Sequence, residues 1–262
     1  MRKHVLPLGF LFLSISIVQA QSFDSLEQAL RRPEKVTRLV LNTYDPNLKH
    51  LPPQIGLLVN LKQLEISCQE QLEDLPREIG NLKKLERLII DNGNGCQMNI
   101  TIPPSIGQLE RLKVLRLYGA LDPREIGSRK PVPPSKIKEL PDTIAQLQNL
   151  EELDLGRNGL HVIPRGIASL KRLRKLGLDY NNIHDIPAFI GDLRNLRELS
   201  IRSNGGVKLP QSLAELKGLK LFMGNNSLTA SDQKRLRSLY PQAVFDFRNE
   251  FDDASANEKS SK

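Results

Sequence analysis

Histidine, cysteine, arginine and tyrosine are the residues of this chain whose placement could do chemistry. His161 and His184 stand 23 residues apart. A chain that folds with that period would stack them, and a stacked pair is where two metal ligands could begin. No further His, Cys or carboxylate column completes a set, and a structural zinc takes about four ligands. The pair therefore reads as one surface position met twice, and no metal is expected. His-Glu-x-x-His, a phosphate-cradling Gly-x4-Gly-Lys and a nucleophile elbow are absent from the sequence. Without such a constellation the sequence points away from an enzyme and calls for no cofactor. The two cysteines are too few for a disulfide framework or a Cys-rich zinc module. In an oxidising compartment Cys68 and Cys96 could join neighbouring repeats through one disulfide; the alternative is two separate small residues.

Recognition chemistry has better support. Arg116, Tyr118, Asp154, Arg157, Asp179, Tyr180 and Arg202, with Ser200 among them, lie between or just after closely spaced Leu and Ile pairs. Tyr and Arg are enriched at binding hot spots, because each joins a large contact area to directed hydrogen bonds. The competing expectation is an ordinary wet surface, with shallow gaps at Gly156 and Gly177.

Those side chains need a scaffold, and the proline spacing reveals it. Pro52, Pro76, Pro103, Pro141, Pro164, Pro187 and Pro210 are separated by 24, 27, 38, 23, 23 and 23 residues. One period holds Leu150, Leu153, Leu155, Asn158, Leu160, Ile163, Pro164, Ile167 and Leu170. The next holds Leu173, Leu176, Leu178, Asn181, Ile183, Ile186, Pro187, Ile190 and Leu193. A third runs from Leu196 through Leu199, Ile201, Asn204, Pro210 and Leu213 to Leu216.

This pattern, LxxLxLxxNxL followed by LPxxIxxL, resembles the leucine-rich repeat family. The 23-residue period and the Leu-Pro step resemble the plant Ras-group-related and SHOC-2-like subclass, here in a secreted, bacterial form. The resemblance spans about residues 36–230. It implies an α/β fold, a curved leucine-rich-repeat solenoid with a parallel β-sheet on its concave face and short helical caps. It also implies a recognition scaffold whose sheet face takes the ligand.

The physics agrees with the spacing. Leu153 and Leu155 are two residues apart and share one face of a short strand. Asn158, Asn181, Asn204 and Asn226 follow the strands, where an amide can satisfy backbone groups as the chain turns. Proline fixes φ on the return limb, and Ile167 and Leu170 refill the core from the other side. One repeat buries too little to offset its ordering entropy, so only a stack is stable.

The first half is less regular. Gln69 stands where Asn is expected. Asp91 to Cys96 is a Gly/Asn-rich turn, and residues 119–138 form an insertion. That insertion carries Arg124, Arg129, Lys130, Lys136 and Lys138; it reads either as a basic flap beside the fourth strand or as a decayed repeat fragment. About eight repeats are expected. Residues 21–35 form an N-terminal cap, with a short helix capped by Asp24 or Ser25 and stopped by Pro33. Residues 231–248 form a C-terminal cap, with Leu236 and Leu239 turned inward and a last strand around Phe245. Residues 249–262 read as a disordered tail.

Composition sets the limits. The chain has 45 leucines in 262 residues and no Trp, so its core must be aliphatic. Met1–His4 is basic, Val5–Val18 is apolar, and Val18-Gln19-Ala20 suits cleavage, which is the pattern of a secretory signal peptide over residues 1–20. A secreted or periplasmic location follows as an expectation, with no membrane span. The net charge of +8 is interspersed with acids, so nucleic acid is not the expected partner. The sequence leads to a monomer that binds a protein ligand, with an anionic glycan or a structural place in a cell-surface assembly as the alternatives.

Overall fold

The computed structural model describes residues 21–91, 100–120 and 140–248. The signal-peptide region, Cys96, the segment 121–139 and the tail from 249 lie outside the described residues. Ten parallel strands form one sheet, with sequence order equal to spatial order. They are β1 (Gln21–Phe23), β2 (Val36–Leu41), β3 (Gln63–Ser67), β4 (Arg87–Asp91) and β5 (Val114–Tyr118). Then follow β6 (Glu152–Asp154), β7 (Lys175–Gly177), β8 (Glu198–Ser200), β9 (Lys220–Phe222) and β10 (Val244–Asp246). The architecture is the solenoid horseshoe that the repeat spacing predicts.

One register explains why leucine dominates. Leu39, Leu64, Leu88, Leu115, Leu153, Leu176, Leu199, Leu221 and Phe245 pair in succession from β2 to β10. Every one of them is buried. Burying such a side chain stabilises by about 1.5–3 kcal/mol. A single leucine column is thus shared by nine strands. Alternate residues face the other way and stay partly exposed on the concave face.

Each return limb is a short 3-10 helix that starts at the proline. Pro164 precedes Arg165–Ser169, and Pro187 precedes Ala188–Asp192. Ile167, Leu170, Ile190 and Leu193 drop from these turns into the core. The turns stack closely on the convex side. A Cβ on Gly107 would lie 2.5 Å from the Thr143 carbonyl oxygen, so this glycine lets two turns approach.

Helices close both ends. Helix α1 (Leu26–Arg31) is capped by Ser25, whose hydroxyl accepts from the Gln28 N–H. Ahead of it β1 adds a strand that the sequence pattern had not indicated. Helix α2 (Ala230–Leu239) begins in a capping box made by Thr229 and Asp232. Leu236 is buried, but Leu239 is 57% exposed, which corrects the inward orientation expected for it. Three residues advance a helix by about 300°, so Leu239 sits about 60° off the line of Leu236, and α2 covers the core with a narrow stripe that holds Leu236 alone.

Candidate functional site

The site is built on β5 to β10 and on the turn after each strand. At that turn the backbone enters the left-handed region. Cys68, Arg157, Tyr180, Ser203 and Asn225 have φ of 51°, 59°, 56°, 55° and 58°, and Gly119 has 64°. This conformation costs a non-glycine residue about 1–2 kcal/mol. Its recurrence through the stack makes it part of the repeat geometry, and what varies is the side chain displayed there.

The asparagines that follow hold the turn. Asn181 donates from Nδ2 to the carbonyl oxygens of Leu155 at 3.0 Å and Leu178 at 2.9 Å. Its Oδ1 accepts from the N–H groups of Asn158 and Leu160, each at 3.0 Å. Asn204 donates to Leu178 and Ile201, and its own N–H donates to Asn226 Oδ1. Asn158 reaches back to the Leu117 carbonyl at 2.6 Å. The four asparagines are buried and form a continuous ladder beneath the site. Gln69 does the same work with a longer side chain, donating to Thr43 and Ser67 and accepting from the Asp45 N–H. The residue that departs from the repeat pattern therefore conserves its hydrogen bonding.

Above the ladder, the predicted site residues gather into three groups. In the first, the Arg157 guanidinium lies 5.3 Å from the Tyr180 ring centroid and 5.9 Å from that of Tyr118. Both distances are within cation–π range. The Tyr118 ring covers Gly156, where an added Cβ would come within 2.6 Å of it. In the second, Arg116 pairs with Glu152 at 3.2 Å and approaches Asp154 at 3.3 Å. Asp154 Oδ1 accepts from the Gly156 N–H and leans over Gly177. In the third, Asp179 accepts from the Ser200 hydroxyl at 2.6 Å and from the Arg202 N–H at 2.7 Å. The Arg202 guanidinium rests 4.8 Å from the Phe222 ring centroid and 3.9 Å from Asp246.

One expectation changes in part. Gly156 leaves no gap, because the Tyr118 ring fills it, whereas Gly177, with Asp154 leaning over it, lines an open cavity of about 220 Å³. Tyr180 and Arg202 share a backbone hydrogen bond at 2.9 Å, but their side chains turn to different partners, Arg157 and Phe222. Phe222 and Asp246 were not among the predicted residues. Phe222 pairs with Ser200 and Asp246 with Phe222, so extending the strand alignment by two repeats would have found them.

Charge is unusually crowded here. Burial pushes the carboxyls of Asp154 and Asp179 above the usual range, against the pull of their hydrogen bonds and of Arg116 and Arg202. At the margin, Asp246 is held below that range chiefly by its hydrogen bond from Arg248. The Nε atoms of Arg116 and Arg202 are buried without a hydrogen-bond partner.

Cys68 is disulfide-bonded, and Cys96, its expected partner, lies outside the described residues. His161 Nδ1 lies 3.0 Å from Asn182 Nδ2. No group of three or more metal-binding side chains occurs among the described residues, and none of their helices is long and apolar enough to cross a membrane.

Residues 132–221 match the model of a leucine-rich repeat region. A domain of the internalin InlJ from Listeria monocytogenes is similar in structure, with a TM-score of 0.54 at 16% identity. That similarity covers 82% of this chain and 45% of the other. The fold is that of the leucine-rich repeats. Internalin InlF from the same species is also similar, with a TM-score of 0.49 at 15% identity over 85% of this chain and 72% of that one. Among curated proteins, a uridine 5'-monophosphate transferase from Xanthomonas campestris is 31% identical over 97 residues, 37% of this chain and 17% of its own length. The disease resistance protein RML1B of Arabidopsis thaliana is 33% identical over 82 residues, 31% of this chain and 8% of its own length. The leucine-rich-repeat chain thus spans less than a fifth of either relative.

Proposed function

We propose that the protein is a secreted, non-enzymatic recognition module of the 23-residue repeat subclass, acting as a monomer and binding a protein partner on its concave face. The carrying observation is the Tyr118–Arg157–Tyr180 group, three large side chains brought together from three repeats. Such aromatic and Arg clusters lose little side-chain entropy on binding, because their packing already restricts them. Arg116 and Arg202 support the same reading. The buried Arg202 Nε has no hydrogen-bond partner, and the Arg116 Nε meets Asp154 only as an ion pair at 3.3 Å, so a carboxylate from a partner could draw the guanidinium groups into better pairing. The partner would then be a protein surface with acidic groups around an apolar or aromatic centre.

The Ser200 hydroxyl donates to Asp179, but that carboxylate also accepts from the Arg202 N–H, and Asp154 is taken up by Gly156 and Arg116. A transferase activity like that named for the Xanthomonas protein is not part of the proposal. Cross-linking capture from the culture fluid or envelope of the source organism tests the reading. A stoichiometric protein should be recovered with the native chain and lost with Tyr180→Ala/Arg202→Ala. Equal recovery with both would overturn it.

A further inference from the structure

The strands begin along one edge of the sheet, here termed the leading edge. Arg174 and Arg197 are consecutive rungs of this edge, the Arg197 N–H donating to the Arg174 carbonyl at 2.8 Å. Neighbouring strands lie about 4.8 Å apart, so these two cations line up closely. Lys220, whose N–H donates to the Arg197 carbonyl at 2.8 Å, continues the edge one position further along, in register with Glu198. Lys171, Arg172 and Lys175 flank the first rung and Arg194 the second, and Lys217 precedes Lys220, all exposed. Lys171 is tied to the next repeat by Asn195, which donates to its carbonyl at 2.8 Å.

In sequence the first of these cations lie beside Asp179 and Asp185, which would balance them. The fold separates them. Asp179 lies beyond β7 and binds Ser200 and Arg202, while Asp185 bridges to Lys208 on the far side of the sheet. Lys175 and Asp179 are four residues apart along an extended chain, about 13 Å at the rise of a strand, beyond the screening length of about 8 Å at physiological salt. The acids beside the ridge are Glu151, the rung before Arg174, Glu198, which pairs with Lys175 and stands in register with Lys220, and Glu215, which pairs with Arg194. Lys171, Arg174, Lys217 and Lys220 have no carboxylate within ion-pair distance among the described residues.

We propose that this leading-edge ridge over β7 to β9 binds an extended anionic polysaccharide, independently of the Tyr118–Arg157–Tyr180 group. A linear row of exposed cations with a regular spacing complements a linear polymer with regularly spaced anions. The segments 170–175, 193–198 and 216–220 contain no aromatic residue. Single-stranded nucleic acid binders supply aromatic platforms for base stacking, and membrane-surface elements supply apolar groups beside their cations. The ridge has neither, which favours a hydrophilic chain carrying carboxylate or sulfate.

The test uses the full chain with heparin and polygalacturonate, and with single-stranded DNA and phosphatidylserine vesicles as competing polyanions, at about 0.15 M salt. Both polysaccharides should bind, more weakly as salt rises. Lys171→Gln/Arg174→Gln/Lys217→Gln/Lys220→Gln should lose roughly tenfold or more in affinity. Lys35→Gln/Lys49→Gln/Lys208→Gln/Lys234→Gln removes the same net charge elsewhere and should stay within about twofold. Equal losses in the two variants would overturn the ridge. DNA or vesicles bound as tightly as the polysaccharides would overturn its ligand class. Tyr180→Ala should bind heparin normally, which keeps this result separate from the concave reading.

Discussion

Gln69 and Asn181 each follow a left-handed residue at the end of a strand, yet they belong to differently built halves of the solenoid. Gln69 donates to the carbonyls of Thr43 and Ser67 and accepts from one N–H group of the preceding repeat, that of Asp45. Asn181 does the equivalent but accepts from two, those of Asn158 and Leu160, and Asn158 is itself a member of the ladder. The early half, from β2 to β5, has strands of five or six residues and irregular spacing. The late half has three-residue strands and a strict 23-residue period. The late half also carries the aromatic–arginine groups and the basic ridge. A linked ladder fixes the height and angle of each turn, so side chains from different repeats can be brought to within ring-contact distance.

The largest expected difference between the halves is in stability. Asn181→Ala removes two acceptor and several donor contacts from buried backbone groups, each worth about 1–3 kcal/mol when left unsatisfied. A total loss of about 3 kcal/mol or more is expected in urea denaturation. Gln69→Ala, at an equally buried rung that accepts from one backbone N–H group rather than two, should cost about 1 kcal/mol less than Asn181→Ala. Equal losses would show that the second accepted bond adds nothing.

Next comes Gly156→Ala, which forces the Tyr118 ring away from its seat. Its expected cost is about 1–2 kcal/mol, together with a changed tyrosine fluorescence as the contact with Arg157 is lost. No spectral change would mean that Tyr118 does not rest on Gly156 in solution.

The smallest stability effect is also the most diagnostic, because it has opposite signs in two places. Asp154 and Asp179 have folded-state pKa values raised by burial. Their charge therefore opposes folding at neutral pH, and the penalty disappears as pH falls through the folded pKa toward the unfolded one. Asp179→Asn should raise the melting temperature at pH 7, and the gain should shrink on acidification. Asp246 and Asp232 are lowered by Arg248 and Thr229, so they contribute stability above the unfolded pKa that is lost as pH falls through the folded one. Asp246→Asn should lower the melting temperature at pH 7 and matter less in acid. The same sign for both variants would contradict the environments described.

Much of this was legible in the sequence. The period-two leucines and the proline spacing specify the strands, their parallel order and the core, because those features depend on local periodicity. The asparagines announce the ladder for the same reason. What Gly156 and Gly177 accommodate was not legible, since Tyr118 and Asp154 reach them from other repeats. The charge asymmetry was hidden because Lys171 and Asp179 are neighbours in the chain and only the direction of β7 parts them. That geometry also makes Lys171 and Arg172 part of the leading edge. Arg165, on a convex turn, is the better control for binding experiments.

The most direct test of the late half as the recognition surface compares alanine variants from the two halves of the concave face. Titration of the captured native partner should show Tyr180→Ala and Arg202→Ala each weakening the complex by about 1 kcal/mol or more. Arg38→Ala, Arg87→Ala and the convex Arg165→Ala should leave it within about 0.5 kcal/mol. Losses concentrated at Arg38 and Arg87, with Tyr180 and Arg202 silent, would place recognition on the early half and contradict the assignment.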